Sequence, residues 1–201
     1  MRYLGPKTKR ARRAKEALRD KDLKYLVKRN YPPGMHGQSR RRISEYGAQL
    51  MEKQKAKWTY NLTEKQFRRY YDRAEKSRGL TPQLLIEQLE LRFDNAVYRL
   101  GFASSRSQAR QIVSHGFLLV GGKRVNIPSY QLSVGDEISV AESKKNSKYI
   151  LALAPKLKEY KPPDWLSLDG KAFSGKVISK PTLENTATTI RMQFISEFYS
   201  R

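Results

Sequence analysis

A mainly helical α+β fold is predicted, on three observations. Apolar residues recur at helical spacing through much of residues 43–116. The pair Gly121-Gly122 interrupts "FLLVGGKRV" as a tight hairpin requires. Residues 1–42 carry 15 Lys/Arg against 3 Asp/Glu and few large apolar residues, so a basic arm precedes the core-forming part.

The arm, "MRYLGPKTKRARRAKEALRDKDLKYLVKRN", buries too little apolar surface alone to offset its ordering entropy. "YPPGMHGQSRRR" follows, with turn residues ahead of an arginine triplet, and His36 there reads as a polar contact. From Ile43 the pattern is helical. Ser44 is placed to cap "EYGAQLMEKQKAKW", with Tyr46, Leu50 and Met51 at helical spacing. Thr63 and Gln66 have capping-box spacing ahead of Phe67, Tyr70, Tyr71 and Ala74, and Gly79 is a stop. Thr81-Pro82 opens a stretch carrying Leu85, Leu89, Phe93, Ala96, Val97 and Leu100, which Gly101 closes. Ser105 and Gln108 repeat the capping spacing before Ala109, Ile112 and Val113, and Gly116 ends that helix. "GDEISV" returns as a strand paired with the hairpin, and Ile190, Phe194, Ile195 and Phe198 mark a C-terminal helix that offers the arm a docking face.

The charge balance narrows function. A net +22 is tolerable chiefly beside an anionic partner, and nucleic acid leads, ahead of an anionic membrane surface or simple solvation. Residues 1–42 hold +12 of it, whereas residues 81–140 hold only +1. No apolar run is long enough to span a bilayer and none follows the basic start as an export signal would, so a soluble, unexported chain is expected. With no cysteine and only His36 and His115, no disulfide, thiolate nucleophile, metal site or cofactor is expected.

"LRFDNAVYRLGFASSRSQARQIVSHGFLLVGGKRVNIPSYQLSVGDEISV" closely resembles the S-four-type RNA-binding module. The flanks "SEYGAQLMEKQKAKWTYNLTEKQFRRYY", "YPPGMHGQ" and "EFYSR" resemble the bacterial small-subunit ribosomal protein four family itself. The resemblance implies a helical lobe with an inserted module of two helices and a small antiparallel sheet. It divides the chain into a basic arm at 1–42 that packs with the C-terminal segment, a lobe at 43–90, the module at 91–142, a partly irregular connection at 143–187 and a C-terminal helix at 188–201. It also implies a monomer when free. Its partners would be small-subunit ribosomal RNA, bound early in assembly at a multi-helix junction, neighbouring small-subunit proteins, and messenger RNA where it enters the subunit, with an influence on decoding accuracy. The location implied is the ribosome, cytoplasmic or, for a plastid-encoded chain, in the organellar matrix. Some members hold zinc on cysteines in the arm; this chain lacks them, so its arm must be held by packing and RNA.

The same resemblance, with the charge pattern, nominates RNA contacts along each element. In the arm and turn they are Arg2, Tyr3, Lys7, Lys9, Arg10, Arg12, Arg13, His36, Arg40, Arg41 and Arg42. In the lobe they are Tyr46, Lys53, Gln54, Lys55, Lys57, Arg68, Arg69 and Arg73, with Arg201 at the end. In the module they are Ser105, Arg106, Gln108, Arg110, His115, Lys123 and Arg124. A helix start at Ser105 turns free N–H groups toward phosphate, and Arg106 and Arg110 extend that face beside the apolar side.

Catalysis is not expected. "LRFDN" has an Arg-x-Asp spacing like that of RNA pseudouridine synthases, which also carry the module, but it lies in a helical pattern where Asp94 suits a local ion pair. No GxxxxGK[ST] or G-x-S-x-G occurs. A stand-alone RNA-binding stress or rescue factor built on the module is the remaining rival, though such proteins lack the long helical flank.

Overall fold

The computed structural model describes residues 3, 5–39, 42–186 and 189–200. Arg2, Arg40, Arg41 and Arg201 therefore lie outside the described residues. The helices are α1 (Lys7–Ala14), α2 (Asp20–Lys28), α3 (Glu45–Thr59), α4 (Glu64–Lys76), α5 (Thr81–Glu90), α6 (Phe93–Arg99), α7 (Arg106–Ser114), α8 (Glu142–Lys145), α9 (Lys148–Glu159) and α10 (Met192–Tyr199). The strands are β1 (Leu118–Val120), β2 (Lys123–Arg124), β3 (Glu137–Val140), β4 (Leu166–Asp169) and β5 (Ser174–Val177). The chain forms two compact units, residues 1–82 with 189–201, and residues 83–188. No helix among the described residues is long and apolar enough to cross a membrane.

The first unit is helical. Ser44 Oγ accepts the Gly47 N–H at 3.2 Å to start α3, and Thr63 and Gln66 form the reciprocal capping box that starts α4. Phe67, Tyr70, Tyr71 and Ala74 are buried, as their spacing predicts. The buried side of α3 is different from the predicted one. Gln49, Glu52, Lys53 and Ala56 are buried there, while Tyr46 is exposed and Leu50 and Met51 only half-buried. The cause is α10, which packs along α3 and supplies polar partners: Gln49 Nε2 donates to Glu197 Oε2 at 2.9 Å, and Glu52 accepts the Arg191 N–H at 3.1 Å. The C-terminal helix lies along α3, and Tyr199 reaches Tyr71 of α4 with ring centroids 4.6 Å apart. The arm is helical too. Ala11 and Ala14 of α1 are buried, and the Arg10 guanidinium lies 3.4 Å from the Tyr3 ring centroid.

The second unit carries an antiparallel sheet ordered β2-β1-β3-β5-β4. Gly121 and Gly122 take φ of 53° and 77°, the left-handed pair that a primed two-residue turn needs. "GDEISV" returns as β3 beside β1, with Leu118 opposite Val140. Two features depart from the sequence reading. The helical pattern of residues 81–100 breaks at Leu91-Arg92, because this stretch pairs with the chain at 130–132: Phe93 N–H donates to Tyr130 O and Leu132 N–H to Leu91 O, both at 2.9 Å. The second departure is in residues 143–187, read as a partly irregular connection, which hold α8, α9 and the two strands that complete the sheet. Trp165 from this segment is fully buried, in one cluster with Phe93, Leu118, Ile138 and Val177.

Candidate nucleic-acid interface

In the second unit the nominated residues separate by role. Ser105 caps α7, its Oγ accepting the Gln108 N–H at 3.3 Å. The Gln108 side chain folds back, its Oε1 accepting Ser104 N–H at 2.9 Å and Ser104 Oγ–H at 2.7 Å. Both groups are occupied in closing the helix start. Arg106 is drawn inward: its Nε donates to Asn95 Oδ1 at 2.7 Å and its guanidinium lies 4.5 Å from the Tyr98 ring centroid. Asn95 in turn donates to fully buried Glu90, which also receives Arg99 through Nε at 2.9 Å and Nη2 at 2.8 Å. Arg106 and Arg110, read together as one cationic face, thus differ in their surroundings. Arg106 joins a buried polar network, where a lost partner is expensive.

Arg110, by contrast, has no side-chain hydrogen bond or ion pair among the described residues, nor has exposed Lys123. Arg124, exposed on the edge strand β2, donates from Nη2 to the carbonyl of His115, which is exposed and caps the C-terminal end of α7. Its guanidinium packs on Gly116 where a Cβ would sit, and Gly116 itself holds φ at 64°. The positive φ favours glycine there, and the missing Cβ leaves room for the Arg124 guanidinium.

In the first unit, Lys53 is buried, its Nζ bonded to Glu64 Oε1 at 2.8 Å and 4.2 Å from the Phe198 ring centroid. In the free chain its charge is held within the fold by that carboxylate and ring. Lys57 also binds Glu64, at 2.9 Å, and Lys55 lies between Glu52 at 2.7 Å and Glu16 at 3.1 Å. Burial opposes the charge on Lys55, but these two carboxylates outweigh it and raise its pKa. Arg68 pairs with Asp72 at 3.2 Å. Arg12 donates to the Tyr31 and Pro32 carbonyls and packs on the Tyr31 ring; half-buried Arg10 lies on Tyr3 and Trp58, where burial lowers its pKa. Exposed Tyr46 faces Phe198, and Lys7 and Gln54 are half-buried. Lys9, Arg13, His36, Arg42, Arg69 and Arg73 remain exposed. Lys65 and Lys76, not nominated, are exposed on α4 with Arg69 and Arg73; their position outside its apolar stripe was the available signal. In the second unit Lys148 and Lys156, eight residues apart on α9, are exposed and were not nominated either. Among the described residues no group of three or more His, Cys, Asp or Glu is placed to hold a metal.

Glu64 is the hub that ties α10 down, because Tyr199 Oη also donates to it at 2.9 Å. Burial alone would raise its pKa, but the bonds from Lys53, Lys57 and Tyr199 prevail and lower it to about 2. Burial and Glu64 together raise the Tyr199 phenol. A carboxyl depressed by folding stabilises fully above its ordinary value, near 4.5, and loses that contribution as pH falls through about 2. Amide exchange across Met192–Tyr199 should therefore quicken over that acid range, and in Glu64→Gln already at neutral pH. Unchanged exchange in the variant would show that α10 is held by packing alone.

Comparison with known proteins accounts for the whole chain. Residues 2–90 match the family model "Ribosomal protein S4/S9 N-terminal domain", and residues 91–138 match the "S4 domain". "Small ribosomal subunit protein uS4" of Roseiflexus sp. (strain RS-1) is 46% identical, and those of Chloroflexus aurantiacus (strain ATCC 29366) and Aquifex aeolicus (strain VF5) are 45% and 46% identical. Each alignment covers 100% of this chain and 99% of the relative. The similarity runs the full length of the chain, and the chain belongs to the uS4 family of ribosomal proteins.

Proposed function

We propose that this chain is a structural constituent of the small ribosomal subunit that binds its ribosomal RNA. The observation that carries the reading is the set of basic side chains with no carboxylate partner among the described residues, on both units of a chain with net +22. Directed cations of this kind meet phosphate through charge-assisted bonds. Full-length similarity to proteins named for the small subunit favours a constituent over a stand-alone stress or rescue factor. Asp94, whose spacing brought an enzyme into question, is closed in a two-bond pair with buried Arg92, at 3.0 and 2.8 Å, so it supports a non-catalytic reading.

The finer parts of the proposal follow from the family resemblance. The chain is a primary binder that nucleates subunit assembly. It neighbours other small-subunit proteins through the helical lobe, lies where messenger RNA enters and influences decoding accuracy. It is a monomer when free, and its place is the ribosome, in the cytoplasm or an organellar matrix. Competition binding at physiological salt tests the core claim: small-subunit ribosomal RNA should displace an unrelated RNA duplex, whereas equal affinity for the two would overturn it.

A further inference from the structure

The first unit holds an open cleft of about 1120 Å³ between the end of α1, the turn at 30–39, the start of α3 and the segment leading into α10. Its volume exceeds the usual range of small-molecule pockets, and its open mouth suits a length of chain better than an enclosed ligand. Ala14, Ala48 and Met51 contribute apolar surface, and Met35 and Ile43, 93% and 70% exposed, add more. Cations line it too: Arg13, Lys15 and Arg191 are all exposed. The carboxylate in the lining, Glu52, is engaged by Lys55 at 2.7 Å and by the Arg191 N–H at 3.1 Å, so it does not repel an anion freely.

Two lining rings each carry an arginine. The Arg12 guanidinium lies 4.9 Å from the Tyr31 centroid and the Arg191 guanidinium 5.6 Å from the Phe194 centroid. Arg12 also donates to the Tyr31 and Pro32 carbonyls, at 3.1 and 3.4 Å, which fastens the turn to α1 and preforms that side of the cleft. Rings, guanidinium planes and apolar surface bordered by cations are the requirements of a splayed nucleotide: a base face needs stacking and its phosphate needs charge. A duplex keeps its base faces stacked within itself and would leave the apolar surface wet.

We infer that this cleft takes an unpaired stretch of RNA, an inference that rests on the RNA-binding reading above and locates one part of it. Single-stranded nucleotides enter with bases against the apolar surface and phosphates at Arg13 and Lys15. The full chain is to be titrated with a labelled oligouridylate and, separately, with an RNA duplex of the same length. Ala48→Phe fills the cleft without changing charge. Met35→Ser with Ile43→Ser removes apolar surface that belongs to no core, so a folding defect in the first variant leaves the second to decide. Each should weaken oligouridylate binding about tenfold, as the loss of one stacked base does, and leave duplex affinity unchanged. Equal loss on both RNAs, or none on the single strand in the second variant, overturns the inference. So does selective loss of an acidic Glu-Leu peptide with oligouridylate unaffected, which would make the cleft a protein site. Failure of the unaltered chain to bind either RNA would instead strike the RNA-binding reading itself.

Discussion

Ile112→Asp is expected to abolish the melting transition of the second unit, while Arg110→Ala, two positions away, leaves it in place. Ile112 is 6% exposed and packs in the cluster with Ala109, Val113 and Leu118. Losing that packing alone costs about 2–5 kcal/mol, and an unpaired carboxylate adds its desolvation penalty. The sum is comparable to the whole stability of a typical domain, about 5–15 kcal/mol. Arg110 has no side-chain hydrogen bond or ion pair among the described residues, so its loss should change the melt little. Arg106→Ala lies between: it removes the donor to Asn95 Oδ1 in a buried network, a loss of about 1–3 kcal/mol. Thermal melts of the three variants check the order. Equal loss of helicity in Ile112→Asp and Arg110→Ala would mean that Arg110 is structural.

The second large effect is on salt dependence. Eight nominated cations, Lys9, Arg13, Arg42, Arg69, Arg73, Arg110, Lys123 and Arg124, neither pair with a carboxylate nor lie on a ring among the described residues. If each meets a phosphate, log affinity against log salt should fall with a slope of about −6 to −7, at −0.7 to −0.9 per contact. Affinity then drops by roughly three to five decades between about 50 and 200 mM salt. Arg110→Ala with Arg124→Ala should flatten the slope by about 1.5. Lys57→Gln should flatten it less than the loss of one of those arginines does, since Glu64, shared with Lys53, holds that amine at 2.9 Å. A slope near zero would remove phosphate contact as the basis of binding, and equal flattening by Lys57→Gln would show that the ion pairs open on RNA.

The local devices of this protein were determined by sequence alone. Ser44, the Thr63–Gln66 box, Ser105 and the Gly121-Gly122 turn act over three or four residues, so spacing suffices to place them. The Arg92–Asp94 pair is equally local, and the order of helices and hairpin follows from periodicity. Only the tertiary structure decided which side of α3 is buried. Gln49 and Lys53 turn inward because Glu197, 148 residues from Gln49, and Glu64 supply the partners that a buried polar group requires. The break at Leu91-Arg92 likewise depends on the chain at 130–132, and the last two strands of the sheet on pairing across to β3. The same distinction divides the nominated cations. A basic residue's sequence position shows that it carries charge, but a distant carboxylate or amide determines whether that charge is spent in the fold, as for Lys53 and Arg106, or left at the surface, as for Arg110 and Lys123. Such partners follow no short-range spacing rule, because folding brings them together through space.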